Sequence, residues 1–327
     1  MNATDDASAR ALWYASRRRV DLRPVAVGRP GPEDVLVRTL WTGLSRGTER
    51  LVFEGRVSAQ ESERMRAPFQ EGDFPFPVKY GYCAVGLVEE GPAALLGRTI
   101  FALHPHQTRF VVPAARVAPV PDGIPARRAV LAANMETALN ALWDSGAGPG
   151  DRVLVVGAGV VGCLVAALAG ALPGAEVTLV DQDLSRRSLA DALGVRFAKP
   201  LDAPGEADVV FHASASPAGL ACALACAGLE ATVVEMSWYG DAMVPAPLGL
   251  DFHSRRLRLV SSQVGHVAAS RRPRWDYARR LAKALDLLAD SRLDALITED
   301  VAFADLPAEL PRLFGPGAPG LTAAIRY

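Results

Sequence analysis

The chain has 327 residues, half of them hydrophobic, and its 35 Lys and Arg nearly cancel 36 Asp and Glu to a net charge of −1. That length exceeds one ordinary compact core and suits two domains of about 150 residues each. The balanced charge excludes a general nucleic-acid partner, which needs a strong basic excess, and the arginines scattered among acids read as a solvated surface.

The N-terminal MNATDDASARALWYASRRR has no apolar core that would serve as a secretory signal. The longest apolar run, 153–172, is broken by four glycines, so no membrane span is expected. Cys83, Cys163, Cys222 and Cys226 lie in apolar surroundings, with no Cys-x-x-Cys and no paired Cys/His spacing. They read as buried small hydrophobes in a reducing compartment, and a cytoplasmic protein is expected.

Residues 1–120 read as β: ALWYA, DVLVRTL, CAVGLVEE, RTIFAL and RFVVP are short runs bounded by Gly and Pro. After PVPDGIP a helical stretch, ARRAVLAANMETALNALWDSG, leads through GAGPGD into RVLVVGAGVVGCLVAALAG. Strands and helices then alternate: VTLVD, SRRSLADALG, DVVFHAS, PAGLACALACAG, TVVEMSWYG, LRLVSSQ. Such alternation is the sequence form of a doubly wound parallel sheet. A charged helix over 275–289 follows, then ITEDVAF, a short helix over 306–314 and a closing strand, TAAIRY; GPGAPG reads as a loop.

The strongest motif is Gly157-Ala158-Gly159-Val160-Val161-Gly162. Alone, GxGxxG is weak, but here the apolar strand RVLVV enters the first glycine and an Ala/Leu-rich helix leaves the last. Gly157 suits the tight turn, Gly159 lets a pyrophosphate approach, and Gly162 lets the helix sit close on its strand. The N–H groups of the helix start, at Val160 and Val161, then face the anion. Asp181 ends VTLV about 20 residues on, where a carboxylate accepts from the adenosine ribose hydroxyls and repels a 2′-phosphate. That selects NAD; Arg186, which would suit a 2′-phosphate, lies farther along. Ser214, Ser237 and the 261–263 segment, beginning with Ser261, end strands at the edge where cofactors bind in such sheets.

Taken whole, the chain resembles the medium-chain dehydrogenase/reductase superfamily, the fold of zinc alcohol and sorbitol dehydrogenases. PGPEDVLVRT and GYCAVGLVEEGP match the opening and middle of its GroES-like β domain. The resemblance implies an α/β protein in which a Rossmann doubly wound parallel sheet is inserted in a GroES-like β-barrel substrate domain. The expected boundaries are 1–123 for the first part of the substrate domain, 124–268 for the NAD domain, and 269–327 for the return. It also implies that Arg46 contacts the cofactor pyrophosphate, that Thr137 lies beside the nicotinamide, and that the protein is a homodimer. TVVEMSWYG and LRLVSSQ are the expected paired edges.

The departures from the family concern metal. Ser45 falls where zinc members have Cys, Gly81-Tyr82-Cys83 replaces Gly-His-Glu, and the third ligand position falls on Ala133. The four-Cys loop of the second zinc is also missing, and His104 with His106 has no third ligand nearby. No metal is expected. SRGTER and VKYGY resemble a zinc-less branch that includes bacteriochlorophyllide hydroxyethyl dehydrogenases, and no substrate is carried over from it.

Without zinc, hydrogen-bond donors and a general acid/base must replace it. By position the candidates are Tyr82, Ser45 and His104, which falls where an aromatic lines the family's substrate pocket, with Lys79, Tyr80, Thr48 and Glu136 near them in sequence. Lys79 would lower the phenol pKa only if the strand bends, since three residues along an extended chain face opposite ways. The leading expectation is an NAD-dependent, metal-free oxidoreductase acting on a small secondary alcohol or its ketone. A quinone or enone reductase and a non-catalytic NAD sensor are the alternatives.

Overall fold

The computed structural model describes residues 9–315, 317–318 and 320–327. The first eight residues and, within the GPGAPG loop, Pro316 and Pro319 lie outside them. The chain forms two compact units, one running to Ala133 and resuming over Ile297–Tyr327, the other Asn134–Leu296.

In chain order the first unit begins with strands β1 (Ala9–Ser16), β2 (Arg19–Val25) and β3 (Asp34–Gly43), then helix α1 (Arg46–Phe53). Strands β4 (Glu71–Gly72), β5 (Val78–Lys79), β6 (Ala84–Glu90), β7 (Thr99–Ala102), β8 (Arg109–Pro113) and β9 (Val117–Pro119) follow, then helix α2 (Ala126–Ala129). The second unit contains α3 (Ala132–Ser145, which begins in the first), β10 (Arg152–Val156), α4 (Val160–Gly170), β11 (Glu176–Val180) and α5 (Arg187–Leu193). It continues with β12 (Arg196–Ala198), β13 (Ala207–His212), α6 (Pro217–Cys226), β14 (Ala227–Glu235), β15 (Arg258–Ser261) and α7 (Tyr277–Leu287). The chain then returns to the first unit with β16 (Ile297–Ala302), α8 (Leu306–Leu313) and β17 (Thr322–Arg326).

In the second unit six strands form one sheet in the order β12-β11-β10-β13-β14-β15, and every pairing is parallel. Its strands are near-continuous Val/Leu runs because both faces are covered; Leu154, Val156, Val180, Val210 and Val233 pack with Leu220 and Leu224 of α6. The first unit has a four-stranded sheet, β2-β1-β5-β4, and a seven-stranded one in which β16-β17-β3-β6-β7-β9 run side by side and β8 pairs with β3. Val35, Val37, Val88, Ile100, Phe110 and Val112 fill its core. The α/β class expected from the sequence is borne out, with the parallel sheet inserted between two parts of a β-rich unit. No helix among the described residues is long and apolar enough to cross a membrane.

Several expectations are corrected. The β region is interrupted by α1, whose Glu49, Val52 and Phe53 turn inward on one face. The helix after PVPDGIP is two helices, separated where the Leu131 N–H turns back to the Arg128 carbonyl. The two compact units divide the chain after 133 and after 296. Helix α7 stays with the parallel sheet because Arg280, 2% exposed, ion-pairs with Glu136 at 3.0 Å and donates to Asn140 Oδ1 at 2.8 Å. Finally, TVVE lies in β14, between β13 and β15, so of the two expected segments only β15 lies at an edge, the other edge of the sheet being β12.

Candidate functional site

In the second unit, β10 delivers the glycine loop. Gly157 has φ +109°, which L side chains avoid, and a Cβ there would come within 2.7 Å of the Ser214 nitrogen. Gly159 caps α4 with no side-chain hydrogen bond, and a Cβ there would meet nothing within 4 Å. A Cβ on Gly162 would overlap the Gly157 carbonyl oxygen, so this glycine sets the strand–helix approach. The first-turn N–H groups, those of Val160 and Val161 among them, have no intrahelical partner and open onto the free space at Gly159. Burial pushes the Cys163 thiol on α4 up to about 12, which suits a packing role.

The Asp181 carboxylate, at the end of β11, accepts from the Ala158 N–H at 2.8 Å and the Asp183 N–H at 2.9 Å. It is thereby fixed beside the glycine loop. Arg186 pairs with Asp183 at 3.2 Å. An open floor, free N–H groups and a placed carboxylate fit the pyrophosphate and ribose of a dinucleotide.

A chain of hydrogen bonds that the sequence did not reveal closes the ends of β13 and β14. Buried His212 sets Nδ1 2.7 Å from Glu235 Oε2 and Nε2 2.7 Å from Ser214 Oγ. Ser214 Oγ is 3.0 Å from Ser216 Oγ, and Tyr239 donates to Glu235 at 3.1 Å. The Ser237 N–H donates to Glu235, while its Oγ accepts from the Ala215 N–H. Burial pushes the Glu235 carboxyl up, but the bonds and charge of His212 and Ser237 outweigh it and hold it below the usual range. Ser261 lies exposed at the end of β15 and Thr137 half-buried on α3.

The first unit holds a separate polar cluster built on α1 and the turn after β5. Tyr82 OH donates to Ser45 Oγ at 2.6 Å, so these two expected site residues do meet. Behind them Glu49 is fully buried and accepts three bonds: Tyr14 OH at 2.7 Å, the Ser45 N–H at 2.7 Å and His106 Nε2 at 2.9 Å. Because a carboxylate only accepts, His106 carries its proton on Nε2. Its Nδ1 lies 2.6 Å from Thr42 Oγ1, which is 3.2 Å from Tyr327 OH. Burial, aided by Cys83, pushes the Tyr82 phenol well above its ordinary value despite hydrogen bonds to Ser45 and Thr48. Tyr82 is therefore a neutral donor at ordinary pH.

Two hydroxyls bonded to each other, a methyl at Ala133 and buried Cys83 do not make the three ligands a catalytic zinc requires. Among the described residues no three His, Cys, Asp or Glu side chains are grouped to hold a metal ion.

His104 and Lys79 make their hydrogen bonds elsewhere than to Tyr82 and Ser45. Lys79, paired across from Trp13, gives its ammonium to Glu71 and to Gln107 Oε1 at 2.9 Å. His104 stacks on Phe110 with ring centres 3.8 Å apart, and its Nδ1 meets the Pro105 carbonyl at 2.9 Å. Burial drives its imidazole down to about 3, so it is neutral. Glu136 is committed to Arg280. Arg46 donates to the carbonyls of Gly320 at 2.8 Å and Ala318 at 2.9 Å, so the implied pyrophosphate contact would require it to leave them.

No protein-family model matches the chain. It is 26% identical over 200 residues to a 2-dehydro-3-deoxy-L-galactonate 5-dehydrogenase of Pseudoalteromonas atlantica, a match covering 58% of this chain and 54% of that protein. The chain thus spans about half the length of that curated relative. Among solved structures it is similar to L-idonate 5-dehydrogenase from Escherichia coli, with TM-score 0.80, 16% identity and 98% of each chain covered. It is also similar to a proposed zinc-binding dehydrogenase from Sinorhizobium meliloti bound to NADP, with TM-score 0.78, 20% identity, and 98% and 99% covered. The chain has the α/β fold of the medium-chain, zinc-type alcohol dehydrogenase-like proteins, a parallel Rossmann sheet inserted in a β-rich domain.

Proposed function

We propose that the protein is an NAD(H)-dependent oxidoreductase that interconverts a secondary alcohol and a ketone without a catalytic metal. The observation that carries this reading is the Tyr82–Ser45 hydroxyl pair standing, at 2.6 Å, where metal ligands would stand. A nicotinamide dinucleotide, when bound, supplies the hydride acceptor or donor. Asp181 and the α4 N-terminus hold its ribose and pyrophosphate.

Tyr82 donates to Ser45 Oγ, which leaves the Ser45 O–H to hydrogen-bond the substrate oxygen, while the proton gained or lost there is exchanged with bulk water. Accepting from Tyr82 makes the Ser45 hydroxyl a stronger donor toward negative charge developing there. Glu49 holds the Ser45 backbone through its N–H, so the donor is fixed before substrate arrives.

NAD is expected to be preferred over NADP. A 2′-phosphate about 4 Å from the Asp181 carboxylate costs ~2–4 kcal/mol at an intermediate dielectric, or about 30- to 1000-fold in affinity. Titrating both cofactors and following their turnover with a panel of secondary alcohols tests the reading. Asp181→Ser should narrow the gap; a wild-type preference for NADP, or no turnover of any secondary alcohol or ketone, would contradict it.

The homodimer is proposed through β15, an open edge whose Arg258, Leu259 and Ser261 are exposed. Light scattering at micromolar concentration should give twice the chain mass; a monomer would refute it.

A further inference from the structure

Five titratable or aromatic groups that the proposed reaction does not use, Phe69, Glu71, Lys79, His104 and Phe110, converge on a cavity of about 330 Å³ within the first unit. Its walls include Val25, Val27, Phe69, Lys79, His104 and Phe110, and neither Ser45 nor Tyr82 lines it. We propose that this cavity is a second small-molecule site, taking a neutral compound with a hydroxyl next to another oxygen, a vicinal diol or hydroxyketone.

The polar complement follows from counting donors and acceptors. The Lys79 ammonium has three N–H donors and is 2% exposed. Glu71 and Gln107 take two of them, and one remains. His104 is 4% exposed and gives its Nδ1 proton to the Pro105 carbonyl. Its Nε2 lone pair then has no partner among the described residues. An acceptor with no protein donor and an ammonium with one donor to spare, both on side chains that line the cavity, suit one ligand that provides the reverse of each. A ligand hydroxyl would donate to His104 Nε2 while the adjacent oxygen accepts from Lys79.

Charge and shape narrow the class further. Glu71, half exposed, already offsets the Lys79 charge, so an anion would compete with a carboxylate in place. The imidazole is neutral because burial disfavours its charged form. It stands stacked on Phe110 and 5.6 Å from the Phe69 ring, which leaves flat apolar walls for an aromatic or branched ligand. The site stands on the first unit alone and owes nothing to the cofactor reading.

The test uses the full chain without cofactor, titrated with 1-phenyl-1,2-ethanediol and followed by NMR. Saturable binding is expected, with intermolecular contacts between ligand protons and the His104 ring. Mandelate, the anionic analogue, should bind more weakly. His104→Phe keeps the stacking and removes the acceptor, and should weaken the diol about 3- to 10-fold, as for one neutral hydrogen bond. Val111→Trp fills the cavity, on whose wall Val111 also lies, and should abolish binding. Should that variant melt early, the His104 ring contacts in the wild type decide. No saturable binding up to the solubility of the diol, tighter binding of mandelate, or unchanged binding in both variants would overturn the proposal.

Discussion

Replacing Tyr82 by Phe is expected to lower kcat about 10²-fold, the low end of the cost of losing a donor to developing charge, because Tyr82 acts through the Ser45 hydroxyl. NAD affinity should stay nearly unchanged, since the glycine loop and Asp181 belong to a different unit of the chain. The ring itself is retained by the substitution. Its edge contact with Tyr80, centroids 6.1 Å apart, should persist, so a fall in rate would report the hydroxyl alone. Ser45 would lose the donor at 2.6 Å that polarises it. Because the phenol is held far above its ordinary pKa by burial, the wild-type rate should show no alkaline limb from Tyr82 in the range where the enzyme is folded. Steady-state kinetics with saturating NAD measure the effect. Wild-type turnover in Tyr82→Phe would reduce this residue to a filler of the space zinc occupies in other members of the fold.

The largest loss of stability is expected at Glu49. Its carboxylate is fully buried and is the shared acceptor for Tyr14, His106 and the Ser45 N–H. Glu49→Ala leaves three buried donors unpaired and a void besides. Unmatched buried donors cost ~1–3 kcal/mol each, and breaking a buried charged network costs ~3–5 kcal/mol. With domain stabilities of about 5–15 kcal/mol, that is a large fraction of the whole. At about 2–4 °C per kcal/mol for a unit of this size, melting should fall by roughly 6–20 °C. Glu49→Gln keeps an acceptor oxygen but turns an amide donor toward groups that are themselves donors, so its loss should be smaller. Calorimetry on both variants checks the order, and a Glu49→Ala protein that melts like the wild type would contradict it.

The dinucleotide crevice was legible because its signal is local. The three glycines and Asp181 sit in one β-α-β stretch, where the Ala158 N–H of the glycine turn donates to the Asp181 carboxylate. Ser45 and Tyr82, 37 residues apart, were found only through the family resemblance. Glu49 was hidden inside SRGTER, because reading the region as β concealed the helix whose inward face buries it. HPH misled in a different way. The His104 N–H turns back to the Ala102 carbonyl, and this tight turn sends His104 to Phe110 while His106 reaches Glu49. The His212–Glu235 pair depends on β13 and β14 lying side by side in register, a fact that two isolated apolar runs do not carry. In sequence Arg280 is one charge of the helix over 275–289, and only the fold shows it turned inward onto Glu136 and Asn140.

The central claim is that this dehydrogenase fold works without metal, and metal analysis joined to activity on a single sample tests it most directly. Protein purified without chelator is assayed for bound metal by mass spectrometry, then dialysed against a strong chelator and assayed again for NAD-linked turnover of a secondary alcohol. Substoichiometric metal and unchanged turnover are expected, because hydroxyls at Ser45 and Tyr82 and the methyl of Ala133 offer zinc no adequate ligand set. One equivalent of tightly bound zinc, whose removal abolishes turnover and whose return restores it, would contradict the account.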